Sequence, residues 1–72
     1  MYIESQVILI SAGPRRKDVI VRVRDLLKVS LQGARELVDK GNLLLAEGGH
    51  FSRALEDLRD EFRALGAEVS HH

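Results

Sequence analysis

The 72-residue chain contains no cysteine and no tryptophan, a single proline, and only three aromatic residues. Without cysteine there is no disulfide framework, thiolate metal site or thiol catalysis, and a reducing interior compartment is the expected environment. With so few aromatic residues, the core must be built from leucine, valine, isoleucine and alanine. A chain of this length forms one small domain at most.

Long hydrophobic runs are also absent. The longest uninterrupted apolar stretches are Val7–Ile10, Val19–Val21 and Leu43–Ala46, whereas a membrane span needs roughly 20 apolar residues. The first residues lack the basic start and the longer apolar run of a signal peptide. We therefore expect a cytoplasmic protein that has no membrane partner.

The net charge is zero, but the two signs are unevenly distributed along the chain. Residues 1–40 hold eight Lys/Arg and five Asp/Glu, whereas residues 41–72 hold three and six. The first segment therefore carries an excess of three positive charges, and the second an excess of three negative ones. A basic face on a neutral domain suits an acidic protein surface or RNA, but zero net charge removes the long-range attraction of dedicated nucleic-acid binders.

The first half of the chain predicts one strand and two helices. Residues 3–10 form the strand, and the continuous apolar run Val7–Ile10 is typical of a central strand. Pro14 favours the start of a helix over residues 14–28, in which apolar residues recur at helical spacing. Ser30 is a suitable N-cap for a second helix, so the two helices are expected to form a hairpin.

The second half predicts two further strands and a third helix. Gly41-Asn42 is a C-cap signal that ends the second helix, and Leu43–Ala46 follow as a short buried strand. Ser52 is a plausible N-cap for the third helix, which ends at Gly66. Residues 67–70 are short and alternate as an edge strand should.

The order of these elements predicts their directions. Because each element reverses the chain, both later strands run opposite to the first. The expected fold is α+β: a two-layer β-α-α-β-α-β sandwich in which three helices cover a three-stranded antiparallel sheet with the first strand in the centre. The expected core residues are Ile8 or Ile10, Val19, Val23, Leu37, Leu55, Leu58 and Phe62.

Five short segments carry a family resemblance. They are VILISAG at residues 7–13, VIxxVR at 19–24, LxxARELV at 31–38, LxEG at 45–48 and LGAEV at 65–69. In this order they resemble the C-terminal domain of the bacterial ribosomal stalk protein of the large subunit, over roughly residues 6–70. The resemblance implies the same element order, no catalytic activity, and a helical hairpin that contacts translational GTPases such as elongation factors Tu and G.

The resemblance also indicates a contact surface on the hairpin. The candidate partner-binding residues are Arg16, Lys17, Ile20, Val21, Arg24 and Arg35. This chain has Lys17 where the family usually has an apolar residue, and Val21 where the family usually has a lysine. Gln32 also stands where a lysine is common. The family's full-length protein also has an N-terminal dimerisation region and a flexible hinge, which these 72 residues lack. We therefore expect a monomer that does not act as an ordinary stalk protein by itself.

The hairpin residues can also be interpreted without the family. Arg16, Ile20 and Arg24 are four residues apart and lie along one helical ridge. Arginine beside exposed aliphatic surface is typical of interface centres. The alternative interpretation is that Ile20 is buried against the sheet while the arginines pair with Asp18 or Glu36.

A second functional hypothesis is RNA contact through the basic first helix. The residues that would face the phosphates are Arg15, Arg16, Lys17, Arg22 and Arg24. RNA binding usually also needs exposed aromatic side chains for stacking, and Tyr2 is the one candidate, which disfavours this hypothesis. A third possibility, a Clp-protease adaptor, rests on a related fold alone, and the peptide-end-binding motif of that adaptor is not recognised in the chain.

Catalysis and cofactor binding find little support in the sequence. Glu47, His50 and Ser52 are close in the chain, but no oxyanion motif accompanies them. Residues 13–16 lack the glycine spacing of a phosphate-binding loop. The adjacent His71 and His72 make a poor metal site and resemble the remainder of a purification tag. We therefore expect no enzymatic activity, no cofactor and no metal.

Overall fold

The computed structural model describes residues 4–49 and 53–72. The elements are β1 (Glu4–Ser11), α1 (Arg16–Leu27), α2 (Leu31–Lys40), β2 (Leu43–Gly49), α3 (Arg53–Ala64) and β3 (Glu68–His71). Their order and the α+β class are those predicted from the sequence. Tyr2, His50 and Ser52 lie outside the described residues, so the predicted capping role of Ser52 stays a prediction.

The sheet has the strand order β2-β1-β3, and both neighbours run antiparallel to β1. This confirms the predicted central position of β1 and the predicted strand directions. Leu9 lies opposite Leu43 on one side and Val69 on the other. The register shifts twice along β1, between Val7 and Ile8 against β2 and between Leu9 and Ser11 against β3.

The buried face of β1 is not the predicted one. Val7 and Leu9 are 0% and 1% exposed and face the helices, whereas Ile10 is 36% exposed and Ile8 is only partly buried. The prediction of Ile8 or Ile10 as a core residue was therefore wrong. Successive strand residues point to opposite faces, and a continuous apolar run carries no alternation that would identify the covered one.

The remaining core mostly follows the helical periodicity. The predicted core residues that are buried are Val19, Val23, Leu55, Leu58 and Phe62. Leu37 is only partly buried, and α2 instead packs through Ala34 and Val38, which are four residues apart on one row. Leu31, in the first turn of α2, is 45% exposed. The short α2 therefore buries a narrower stripe than its sequence suggested.

The connection between α1 and α2 holds the two helices in a hairpin. Helix α1 begins at Arg16, two residues later than predicted, and ends before Lys28, which has a left-handed backbone (φ 56°). The Ser30 hydroxyl accepts a hydrogen bond from the Gly33 N–H at 3.0 Å, which confirms the predicted N-cap. Only three residues separate the helices, so α2 folds back directly onto α1.

The strand ends differ slightly from the prediction. β2 continues past Ala46 to Gly49, because Glu47 and the two glycines after it still pair with the beginning of β1. β3 begins at Glu68 and includes His71. Both predicted strands were right in position and direction, and their bounds were off by one to three residues.

A close backbone approach joins the start of α1 to the end of α3. Gly13 and Gly66 have φ angles of +73° and +85°, a conformation that side chains with a Cβ rarely adopt. A Cβ at Gly13 would lie 2.1 Å from the Gly66 carbonyl oxygen, so this approach requires glycine. Gly66 thus ends α3, as predicted.

Within residues 4–49 and 53–72, the helices are too short and too polar for a transmembrane span.

Candidate protein-interaction surface

The inner side of α1 fixes the position of the hairpin on the domain. Val19, Ile20 and Val23 face the core and are buried. An ion pair between Arg16 and Asp39 joins the start of α1 to the end of α2. Because these inner residues anchor α1 in the core, the side chains on its two flanks face away from it.

A groove lies between α1 and α2 on the outer surface, and we call it the hairpin groove. It has a volume of about 180 Å³ and is lined by Lys17, Ile20, Val21, Leu31 and Arg35. Four of the six candidate residues from the sequence are thus brought together. Leu31 was not among them, although its position in the first turn of a helix folded back on α1 could have indicated it.

The apolar surface of the hairpin groove comes from Val21 and Leu31, which are 40% and 45% exposed. Ile20 is only 4% exposed, so its side chain packs into the core and contributes to the floor of the groove. The structure therefore agrees with the alternative interpretation for Ile20, in which it is buried against the sheet. The ridge of Arg16, Ile20 and Arg24 therefore carries no exposed apolar side chain between its two arginines.

The cationic side chains of the hairpin fall into two groups. Arg16 pairs with Asp39, and Arg24 pairs with the neighbouring Asp25 at 3.1 Å. The pairing with Asp18 or Glu36 that the alternative interpretation expected is therefore not formed by either arginine. Lys17 and Arg35 form no ion pair with any described residue. The positive charge at the hairpin groove is therefore uncompensated, whereas that of Arg16 and Arg24 is partly neutralised.

The other flank of α1 carries an ion pair to α3. The Arg22 guanidinium donates to the Glu61 carboxylate, with a second contact of 3.4 Å between Nη2 and Oε2. The hydrogen bond to Glu61 is the main cause that raises the pKa of Arg22 above its ordinary value, so this group stays charged. Of the basic side chains proposed to face RNA, Arg16, Arg22 and Arg24 all have carboxylate partners, which weakens that hypothesis.

The described residues show no grouping of three or more histidine, aspartate or glutamate side chains that could hold a metal ion. The two terminal histidines contact different neighbours. His71 Nδ1 lies 3.0 Å from Arg59 Nη1, and His72 Nε2 lies 2.9 Å from the Ser70 hydroxyl. The two imidazoles therefore do not converge on one point.

Comparison with known proteins identifies the family. A family model described as the ribosomal protein L7/L12 C-terminal domain matches residues 5–71. The chain belongs to this family. The five sequence segments that suggested the resemblance all lie within the matched range, so the resemblance is confirmed.

The curated proteins that this L7/L12 C-terminal domain resembles include several named large ribosomal subunit protein bL12. Those of Pseudomonas putida (strain GB-1) and Finegoldia magna are each 36% identical over 66 residues, and that of Rickettsia akari is 32% identical over the same length. Each match covers 92% of this chain but only 54%, 53% and 52%, respectively, of the relative. The chain thus spans about half the length of the curated relatives it matches.

Proposed function

We propose that this chain is a non-catalytic, cytoplasmic protein-interaction module that binds a translational GTPase, or another ribosome-associated factor, through the hairpin groove. The observation that carries the proposal is the pair of uncompensated cations, Lys17 and Arg35, in the same groove as the exposed aliphatic side chains of Val21 and Leu31. Membership of the L7/L12 C-terminal domain family supports a partner in translation.

The chemistry of the groove defines the kind of surface that fits it. Val21 and Leu31 can pack against an apolar side chain, while Lys17 and Arg35 can pair with carboxylates next to it. Charged groups at the rim of an interface mainly increase the association rate and the specificity. Such a small groove gives a weak, transient contact, for which micromolar affinity is normal. One monomer is sufficient to form it.

The proposal is tested by reversing the two uncompensated charges. We expect Lys17→Glu with Arg35→Glu to weaken binding to elongation factor G by at least about tenfold, roughly 1.4 kcal/mol. The melting temperature should change little, because both side chains are exposed and form no ion pair within the described part of the chain. Isothermal titration calorimetry of the parent and the variant provides the comparison.

The matched control is Arg53→Glu with Arg63→Glu, which makes the same change in net charge on α3. Arg59 is less suitable, because it contacts both Asp60 and His71. Arg63 donates a hydrogen bond to the Val69 carbonyl oxygen at 3.2 Å, so the melting temperature of the control is measured together with its affinity. The control should bind elongation factor G like the parent. Equal loss of binding in both double variants would show that net charge, and not the hairpin groove, determines the affinity. Loss of binding in the control alone would indicate that the site lies on α3.

A further inference from the structure

Two neighbouring depressions lie between α1 and α3, on the opposite flank of α1 from the hairpin groove. The first has a volume of about 490 Å³, and its apolar lining includes Val21, Ala64 and Leu65. The second has a volume of about 420 Å³, with Leu26 and Leu58 among its apolar residues. Together they exceed the hairpin groove several times in volume.

The two depressions form one surface divided by an ion pair. Arg22 and Glu61 line both of them and pair with each other across the space between the helices. We call the combined surface the α1–α3 groove. Because the side chains of Arg22 and Glu61 are 33% and 43% exposed, the bridge lies near the surface and an incoming charged group can reach it.

The charges along the α1–α3 groove are mostly negative. Its lining includes four carboxylates, from Asp18, Asp25, Asp57 and Glu61, and one guanidinium, from Arg22. Asp25 pairs with its neighbour Arg24, and Glu61 pairs with Arg22. Asp18 and Asp57 have no ion-pair partner among the residues that the structure describes. They lie in different depressions, so the uncompensated negative charge extends along the groove.

We propose that the α1–α3 groove is a docking site for a cationic amphipathic segment of a partner protein. Apolar side chains of the segment would cover Val21 and Leu65 in one depression and the partly buried Leu26 in the other. Lysine or arginine side chains beside them would pair with Asp18 and Asp57. Charge complementarity selects this occupant, because an acidic segment of the same shape would meet the unpaired carboxylates of Asp18 and Asp57, whereas the one guanidinium in the lining is already paired with Glu61.

This site lies on the other flank of α1 from the hairpin groove and carries charge of the opposite sign. Val21 lies on the crest of α1 and lines both grooves. An acidic surface on the α2 side and a basic segment on the α3 side can therefore approach the same helix from two flanks. The 12 residues of α1 extend about 18 Å, which matches a docked helix of about three turns.

The probe for this site is a fluorescein-labelled peptide of about 15 residues, in which leucines at helical spacing form one face and lysines the other. A second peptide has the same leucines, with glutamate in place of every lysine. Fluorescence anisotropy should show saturable binding of the lysine peptide and much weaker binding of the glutamate peptide. Equal binding of the two peptides, or no binding of the lysine peptide at millimolar concentration, would overturn the proposal.

Two variants of the groove locate the binding. Asp18→Asn with Asp57→Asn should weaken binding of the lysine peptide by about tenfold or more. The matched control, Glu36→Gln with Glu68→Gln, removes two exposed carboxylates that lie outside the groove, and it should bind like the parent. Ala64→Arg places a cation and extra bulk in the groove lining at an exposed position, so it should abolish binding without unfolding the domain.

Further readouts separate this site from the hairpin groove. In heteronuclear NMR spectra, the lysine peptide should shift the amide resonances of Arg22, Ala64 and Leu65, which line the α1–α3 groove and not the hairpin groove. Lys17→Glu with Arg35→Glu should leave peptide binding intact, and Asp18→Asn with Asp57→Asn should leave binding to elongation factor G intact. Peptide binding that is lost equally in the glutamine control, or resonance shifts confined to α2, would contradict the proposed site.

Discussion

At the scale of single residues, Phe62 contributes most to the core. It is the largest of the fully buried side chains and lies on α3, where it faces the sheet. We expect Phe62→Ala to lower the free energy of unfolding by about 3 to 5 kcal/mol, because it removes buried surface and leaves a cavity. That is a large fraction of the stability of a domain this small.

Urea unfolding followed by circular dichroism measures this effect. The control is Leu44→Ala, because Leu44 is 42% exposed on the uncovered face of the sheet and its loss should cost about 1 kcal/mol or less. A similar small cost for both variants would contradict the central role of Phe62.

The residue-level predictions mostly succeeded where the sequence carries a period, and Leu37, which is only partly buried, is the exception. Val19 and Val23, or Leu55 and Leu58, recur at helical spacing, so the sequence identifies the buried face. The run of four aliphatic residues in β1 has no such period, and the choice of its buried face depends on where the helices pack. Tertiary packing, which single-sequence patterns do not contain, therefore determined the outcome there.

At the scale of elements, the hairpin depends on the N-cap of α2. The Ser30 hydroxyl satisfies the Gly33 N–H, which would otherwise lack a partner in the first turn. We expect Ser30→Ala to destabilise the domain by about 1 kcal/mol and Ser30→Asp, which retains a capping oxygen, to cost much less. Thermal unfolding of the three proteins tests this, and equal melting temperatures for Ser30→Ala and the parent would contradict it.

The candidate site could be predicted only in part from its elements. The sequence placed Lys17, Val21 and Arg35 on a helical hairpin, and the structure brings them together. It could not show which cations are neutralised, since Arg22 and Glu61 are 39 residues apart and meet only when α1 and α3 pack on the same sheet. Whether a charged side chain is available to a partner thus depends on tertiary contacts.

At the scale of the whole molecule, positive and negative side chains lie on different surfaces rather than in different halves of the chain. The first 40 residues carry a positive excess, yet they also supply Asp18 and Asp25 to the acidic α1–α3 groove. The cations that remain uncompensated at the hairpin groove come from α1 and α2. The two flanks of α1 therefore differ in sign, although the molecule as a whole is neutral.

This arrangement predicts a shallow salt dependence for factor binding. Two cations at the hairpin groove are screened by salt, but the burial of Val21 and Leu31 is not. We expect the affinity for elongation factor G to fall by less than about tenfold between about 50 and 200 mM salt. The affinity of an RNA complex that neutralises six or more phosphates would fall by about three decades or more over that range.

Anisotropy titrations with the labelled factor and a labelled single-stranded RNA compare the two salt dependences. Tighter binding to RNA near physiological salt, with a steep slope that Arg15→Glu reduces, would favour the RNA hypothesis instead.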